Sequence, residues 1–199
     1  MSPDEADPLQ IAARVATILE SLRLEYSIGG SLASSFGGEP RATLDIDFVV
    51  RFDESAVPAI VEALEREFYV DDRALQRAAR EHSSANAIHL ATSVKVDFFA
   101  AGGSVLDDDL LARRVAVAVA SDPPVQIFVH TPEDILLQKL RWYRLGGHVS
   151  DRQWRDVLGI VRVQGRRLDQ SYLTTGAARL HIEDLLTRAL SEGGLGHGR

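Results

Sequence analysis

The chain has 199 residues and a mass of 21.8 kDa, with 45% hydrophobic and 26% charged residues, enough to bury one substantial core or one domain with a helical appendage. Its formal net charge of −7 argues against a broad phosphate-backbone footprint, and the absence of cysteine excludes disulfides, thiolate metal sites and cysteine nucleophiles. The longest apolar run, Val115 to Ala120, is far short of a membrane span and no signal peptide opens the acidic N-terminus, so a cytoplasmic protein without membrane association is expected.

Taken in order, residues 1 to 8 read as a loose tail, and apolar residues at Ile11, Val15, Ile18, Leu19 and Leu22 predict a helix from Leu9. Glu25 to Ile28 reads as a short strand. Gly29 and Gly30 turn the chain, Ser31 to Phe36 forms a short helix, and Gly37 to Arg41 is a loop in which Pro40 stops any continuation of the helix. Leu44 to Arg51 is a strand. Ser55 is expected to cap a helix running to about Phe68, and Arg73 to Arg80 is a further helical piece.

Asn86 to Ala91 and Val94 to Ala100 predict a hairpin about a Thr92-Ser93 turn, with Lys95, Asp97 and Phe99 on one face of the second strand. Asp107, Asp108 and Asp109 suit the first turn of a helix, where carboxylates favour the dipole. Strands are expected at Arg114 to Ala120 and Val125 to Val129, about an Asp122-Pro123-Pro124 turn. After Thr131 the pattern is helical throughout, with capping sequences at Thr131 and Ser150, helices near Asp169 to Leu180 and Ile182 to Leu190, and a frayed glycine-rich tail from about residue 191. The fold class is thus α/β (α+β): a mixed sheet flanked by helices over residues 1–130, then a C-terminal helical bundle over 131–199 that packs on the core as one compact unit, since no flexible linker separates them.

Within the strand Leu44 to Arg51, Asp45 and Asp47 point to one side. Two neighbouring carboxylates repel, and aspartate is a poor strand former, so a cationic partner is expected. A divalent ion such as Mg²⁺ is the economical choice, because hard cations take carboxylate oxygens together with substrate phosphates. A solvent-facing sheet edge or a strand end would also accommodate a lone Asp-x-Asp, and Gly29-Gly30-Ser31 by itself also reads as a turn. Only Lys95 and Lys139 among the 22 basic residues are lysines. Each either marks a place that takes a compact ammonium and no planar guanidinium, or is a surface survivor.

Gly29-Gly30-Ser31, then Asp45-Ile46-Asp47, and later Val96-Asp97-Phe98 resemble the nucleotidyltransferase superfamily of polymerase-β-type fold. The stretch Arg41-Ala42-Thr43-Leu44-Asp45-Ile46-Asp47 and the helix carrying Lys139 resemble in particular the branch of small bacterial proteins related to the AbiEii toxins. The resemblance implies a nucleotidyltransferase-type mixed sheet and a metal-dependent enzyme that moves an NMP from an NTP to a hydroxyl acceptor. Asp45, Asp47 and Asp97 would hold Mg²⁺ or Mn²⁺, Asp97 would act on the nucleophile's proton, and Gly29, Gly30 and Ser31 would approach the triphosphate.

Lys139 matches a lysine that contacts the nucleotide in that branch, although a snorkelling lysine would occupy the same border of a buried face. Arg41 and Thr43 stand where phosphate or metal-bound water could be touched, or serve as a loop charge and a strand starter. Arg152 and Asp156 resemble the branch's Arg-Asp-x-x-Asp segment, from which Gln153 departs; an i,i+4 ion pair explains them equally well. The implied partners are an NTP, an acceptor of unassigned class (small molecule, protein or RNA) and a cognate antitoxin. The alternative is a catalytically silent member of the fold that binds a nucleotide or a partner protein. Acidity makes tRNA a less comfortable acceptor than a small molecule or protein unless Arg141, Arg144, Arg152 and Arg155 cluster beside the site.

Overall fold

A computed structural model describes residues 7–38, 45–119 and 124–195. These fall into two compact units: residues 7–32, 45–119 and 124–129 form the first, and residues 33–38 and 130–195 the second. Among the described residues no helix is long and apolar enough to cross a membrane.

The first unit opens with α1, Pro8–Ser21, where the Asp7 side chain accepts from Leu9 N at 2.9 Å and Pro8 takes the first helical position. Ile11, Val15 and Leu19 then fall on a buried stripe. The strands are β1 (Tyr26–Ile28), β2 (Asp45–Val50), β3 (Phe68–Val70), β4 (Ser84–His89), β5 (Lys95–Ala100), β6 (Val115–Val119) and β7 (Val125–Val129). They form one sheet in the order β3-β4-β5-β2-β1-β7-β6. The pairs β2/β5 and β1/β7 are parallel and the other four antiparallel, which is the mixed sheet expected.

Alternation decides which face of the central strands is dry. Ile46, Phe48 and Val50 of β2 and Val96, Phe98 and Ala100 of β5 are buried. Phe48 stacks on Phe98 with ring centroids 6.0 Å apart and tilts against Tyr26 at 5.6 Å. The opposite face of the same strands carries Asp45, Asp47, Lys95 and Asp97.

One expected helix is two elements. The helix predicted from Ser55 to Phe68 ends at Leu64 as α3, Val57–Leu64, and Phe68–Val70 is β3. Ser55 does not cap it. The Ser55 amide and hydroxyl instead donate to Asp53 Oδ1 at 2.9 and 2.5 Å, and Ala56 stands at the cap position without a side-chain bond. The Phe-Tyr-Val run has strand preference, and a partner decides the matter: Phe68, Tyr69 and Val70 pair with His89, Ile88 and Ala87 of β4. The predicted helix at Arg73 to Arg80 is α4, Asp72–Glu81, capped by Asp71. The acidic triplet opens α5, Asp107–Arg113, with Asp107 Oδ2 accepting from Gly102 N and Ser104 N at 2.8 and 2.9 Å. In the turn expected at Asp122-Pro123-Pro124, Asp122 and Pro123 lie outside the described residues.

Helix α2, Gly30–Gly37, begins in the first unit and ends in the second. The second unit continues with α6 (Pro132–Leu145), α7 (Asp151–Gln164), α8 (Gln170–Leu180) and α9 (Glu183–Leu190), capped at their starts by Thr131, Ser150 and Asp169 for α6 to α8. Asp134, fully buried, accepts from the Thr131 hydroxyl at 2.6 Å and from the Tyr172 hydroxyl, and Glu133 accepts from the Asp169 amide at 2.9 Å. These bonds tie the starts of α6 and α8 together. Ser191–Leu195, in the stretch expected to fray, forms a π-helical turn, and Glu192 accepts from Trp154 Nε1 at 2.8 Å.

Candidate active site

The parallel register of β2 and β5 pairs Asp45 with Lys95 and Asp47 with Asp97. Because alternate residues share a face, these four side chains form a patch two residues long and two strands wide on the polar side of the sheet. Asn86 of β4 is the register partner of Asp97 and is exposed. Three carboxylates in one patch repel, and a lysine compensates them. Lys95 Nζ lies 2.7 Å from Asp97 Oδ2, with side chains 41% and 16% exposed. The Lys95 ammonium is held above its ordinary pKa first by its hydrogen bond to Asp97, and further by the charges of Asp97, Asp45 and Asp47, against a smaller loss from burial.

The glycine pair belongs to the same patch. Gly29 N donates to Asp47 O at 2.8 Å. Gly30 has φ +59, and a Cβ placed there would lie 1.7 Å from Asp47 Oδ2, so the Asp47 carboxylate rests against the backbone at the start of α2. Only glycine tolerates both the left-handed conformation and that approach. Ser31 follows in the first turn of α2, which contains no acidic residue.

The donor set suits Mg²⁺ or Mn²⁺: three carboxylates on adjacent strands supply the hard oxygens these ions take. Among the described residues no group of three or more His, Asp or Glu is spaced to hold a metal, and within the patch Asp97 is engaged by Lys95. The residues fit the ion in chemistry and in their shared face, while their side chains are not drawn together around one point.

Lys139 belongs to the second unit. Its Nζ donates to Asp156 Oδ2 at 2.8 Å, with the two side chains only 11% and 14% exposed. The lysine is on the buried side of α6 with Ile135, Leu136 and Tyr143, whereas Trp142, one turn on, is 54% exposed. Asp156, for which an i,i+4 pair with Arg152 was one of two readings of the sequence, is the partner of Lys139 across two helices. Arg144 pairs with Asp184 of α9. Arg41 and Thr43 lie outside the described residues.

Sequence reasoning did not place Lys95 or Asn86 in the site. The signal for Lys95 was present in its rarity and in its shared face with Asp97. Asn86 had no such signal, because its position depends on the β4/β5 register.

A seven-stranded mixed sheet that sets paired carboxylates of two parallel strands beside a Gly-Gly-Ser turn into a helix defines the nucleotidyltransferase fold. The model of the AbiEii nucleotidyl transferase toxin family, of the type IV toxin–antitoxin systems, matches residues 29–188, and the chain belongs to that family. In fold it is similar to an antigenic nucleotidyltransferase-like protein from Paracoccidioides brasiliensis, at 18% identity and a TM-score of 0.58 over 97% of this chain and 93% of that one. It is also similar to ANT(2″)-Ia, solved in complex with adenylyl-2″-tobramycin, at 12% identity and a TM-score of 0.53 over 87% of this chain and 96% of that one. No curated protein sequence matches the chain.

Proposed function

We propose that the protein transfers an NMP from an NTP to a hydroxyl acceptor, with Mg²⁺ or Mn²⁺ as cofactor, and that it is the cytoplasmic toxin of a toxin–antitoxin pair. The observation that carries the enzymatic reading is the pairing of Asp47 with Asp97 on parallel strands, with the Asp47 carboxylate against Gly30. Membership of a nucleotidyl transferase toxin family supports the toxin role and a cognate antitoxin as partner.

In this reading Asp45, Asp47 and Asp97 hold the divalent ion, which when bound supplies Lewis-acid stabilisation of phosphate charge. The backbone at Gly29 and Gly30 and the Ser31 hydroxyl receive the triphosphate at the start of α2, where amide groups and the helix dipole favour an anion. The acceptor oxygen bonds to the α-phosphorus in line with the departing group, the bond from that phosphorus to the oxygen bridging to the β-phosphate breaks, and pyrophosphate leaves with the electron pair. Asp97 takes the proton of the acceptor hydroxyl. Lys139, held by Asp156, contacts the nucleotide.

The test is labelling of acceptors in cell extract with each α-labelled NTP and Mg²⁺ or Mn²⁺. Asp45→Ala and Asp47→Ala are each expected to reduce labelling by about a hundredfold or more. Labelling that persists in both variants removes these residues from the mechanism. No labelling with any NTP, nucleotide binding being intact, favours the silent binder.

A further inference from the structure

The patch that the proposed reaction needs for a metal already holds a cation of its own. Lys95 is on the same strand as Asp97, two residues away on the same face, and its ammonium contacts the carboxylate at 2.7 Å. Its register partner is Asp45, so the lysine stands beside aspartates of both strands. A divalent ion binding to Asp97 would bring two positive charges against the lysine, at separations where like charges repel strongly.

We propose that Lys95 is a tethered counter-ion of the Asp45, Asp47 and Asp97 cluster, which a divalent ion must displace, so that the site takes up its metal together with the nucleotide and not ahead of it. The proposal rests on the metal-dependent reading above. The physical sequence is an exchange of partners. Without nucleotide the ammonium neutralises part of the cluster and the ion competes with it. When the triphosphate arrives it offers the released ammonium new oxygens, and the ion and lysine no longer compete for one carboxylate.

The residue type fits this exchange. Lysine is a point charge on a flexible stem, and this side chain is 41% exposed, so it can swing away from Asp97 without unpacking a core. Arginine would grip a carboxylate through two parallel bonds and would be harder to displace. In a chain whose other basic residues are arginines, save Lys139, the distinction has a use here.

The experiment measures Mn²⁺ binding to the intact protein by electron paramagnetic resonance, with the metal alone and then with a non-hydrolysable NTP analogue. Asp47→Asn identifies the specific site. Lys95→Met is expected to bind Mn²⁺ alone roughly tenfold more tightly than the native protein, the scale of a partly solvated charge interaction, and to gain less from the analogue. Lys95→Arg, which keeps the charge, is expected to bind Mn²⁺ alone no more tightly than the native protein. Thermal unfolding with and without Mn²⁺ gives a second readout, in which Lys95→Met shows the larger metal-induced shift. Asp47-dependent binding that is unchanged or weaker in Lys95→Met overturns the counter-ion role and leaves the metal reading standing. If neither the native protein nor Lys95→Met shows Asp47-dependent binding, with or without the analogue, the metal reading fails and the counter-ion role with it.

Discussion

At the scale of single residues, Gly30 is the position with least latitude. A methyl group there meets Asp47 Oδ2 at 1.7 Å, and φ +59 is disfavoured for any L side chain. Gly30→Ala is therefore expected to cost about 1–2 kcal/mol of stability from the backbone alone and to push the Asp47 carboxylate out of the patch. Labelling should fall to the level of Asp47→Ala while circular dichroism retains the native signature. Native labelling in Gly30→Ala would show that Asp47 need not rest on the turn. Much of this was legible from the sequence, since Gly-Gly-Ser and Asp-x-Asp are local patterns of backbone freedom and strand alternation. What was not legible was that they touch: the contact arises from the antiparallel pairing of β1 with β2, which places Gly29 against Asp47.

At the scale of elements, the Lys139–Asp156 bond links α6 and α7. With side chains 11% and 14% exposed, removing one partner leaves a charge in a poorly solvated place. Lys139→Met and Asp156→Leu are each expected to destabilise by about 3 kcal/mol, whereas the double variant should recover most of that loss. Urea unfolding of the four proteins measures the coupling, and additive losses would mean that the two residues act separately. The double variant also separates roles, because recovered stability without recovered labelling is the signature of a lysine that contacts nucleotide. The capping sequences at Thr131 and Ser150 announced these helices, as backbone amides need local acceptors. The partner of Asp156 could not be read in the same way. An i,i+4 neighbour is visible along one helix, but a lysine from the preceding helix is not. The β3 strand was hidden for a related reason, since three residues without their β4 partner continue a helical pattern.

At the scale of the whole molecule, one buried group makes stability depend on acidity. His130 is 1% exposed, and burial lowers its pKa from 6.5 to about 3. The unfolded chain takes up a proton as pH falls through the ordinary histidine range, and the folded chain does not until about 3. This contribution to stability is therefore intact above the unfolded pKa and is lost progressively from there down towards the folded one. Between about pH 6 and pH 5, ahead of most carboxylate titration, stability to urea should fall by about 1 kcal/mol. His130→Gln should flatten that slope, and an equal slope in the variant would assign the loss to other groups.

Sequence by itself determined the alternation of strands and helices, the placement of Asp45 and Asp47 on one face, the helical character after Thr131 and the resemblance to the AbiEii family. All of these rest on near-neighbour physics: the period of a strand or helix, the cap that a free amide needs, the turn that glycine permits. Tertiary structure decided that Asp97 pairs with Asp47, that Asn86 joins the row, that Lys95 holds Asp97 and that Lys139 belongs to Asp156. These depend on strand order, register and helix packing, which are set by the burial of Phe48, Phe98 and their neighbours and not by any short motif.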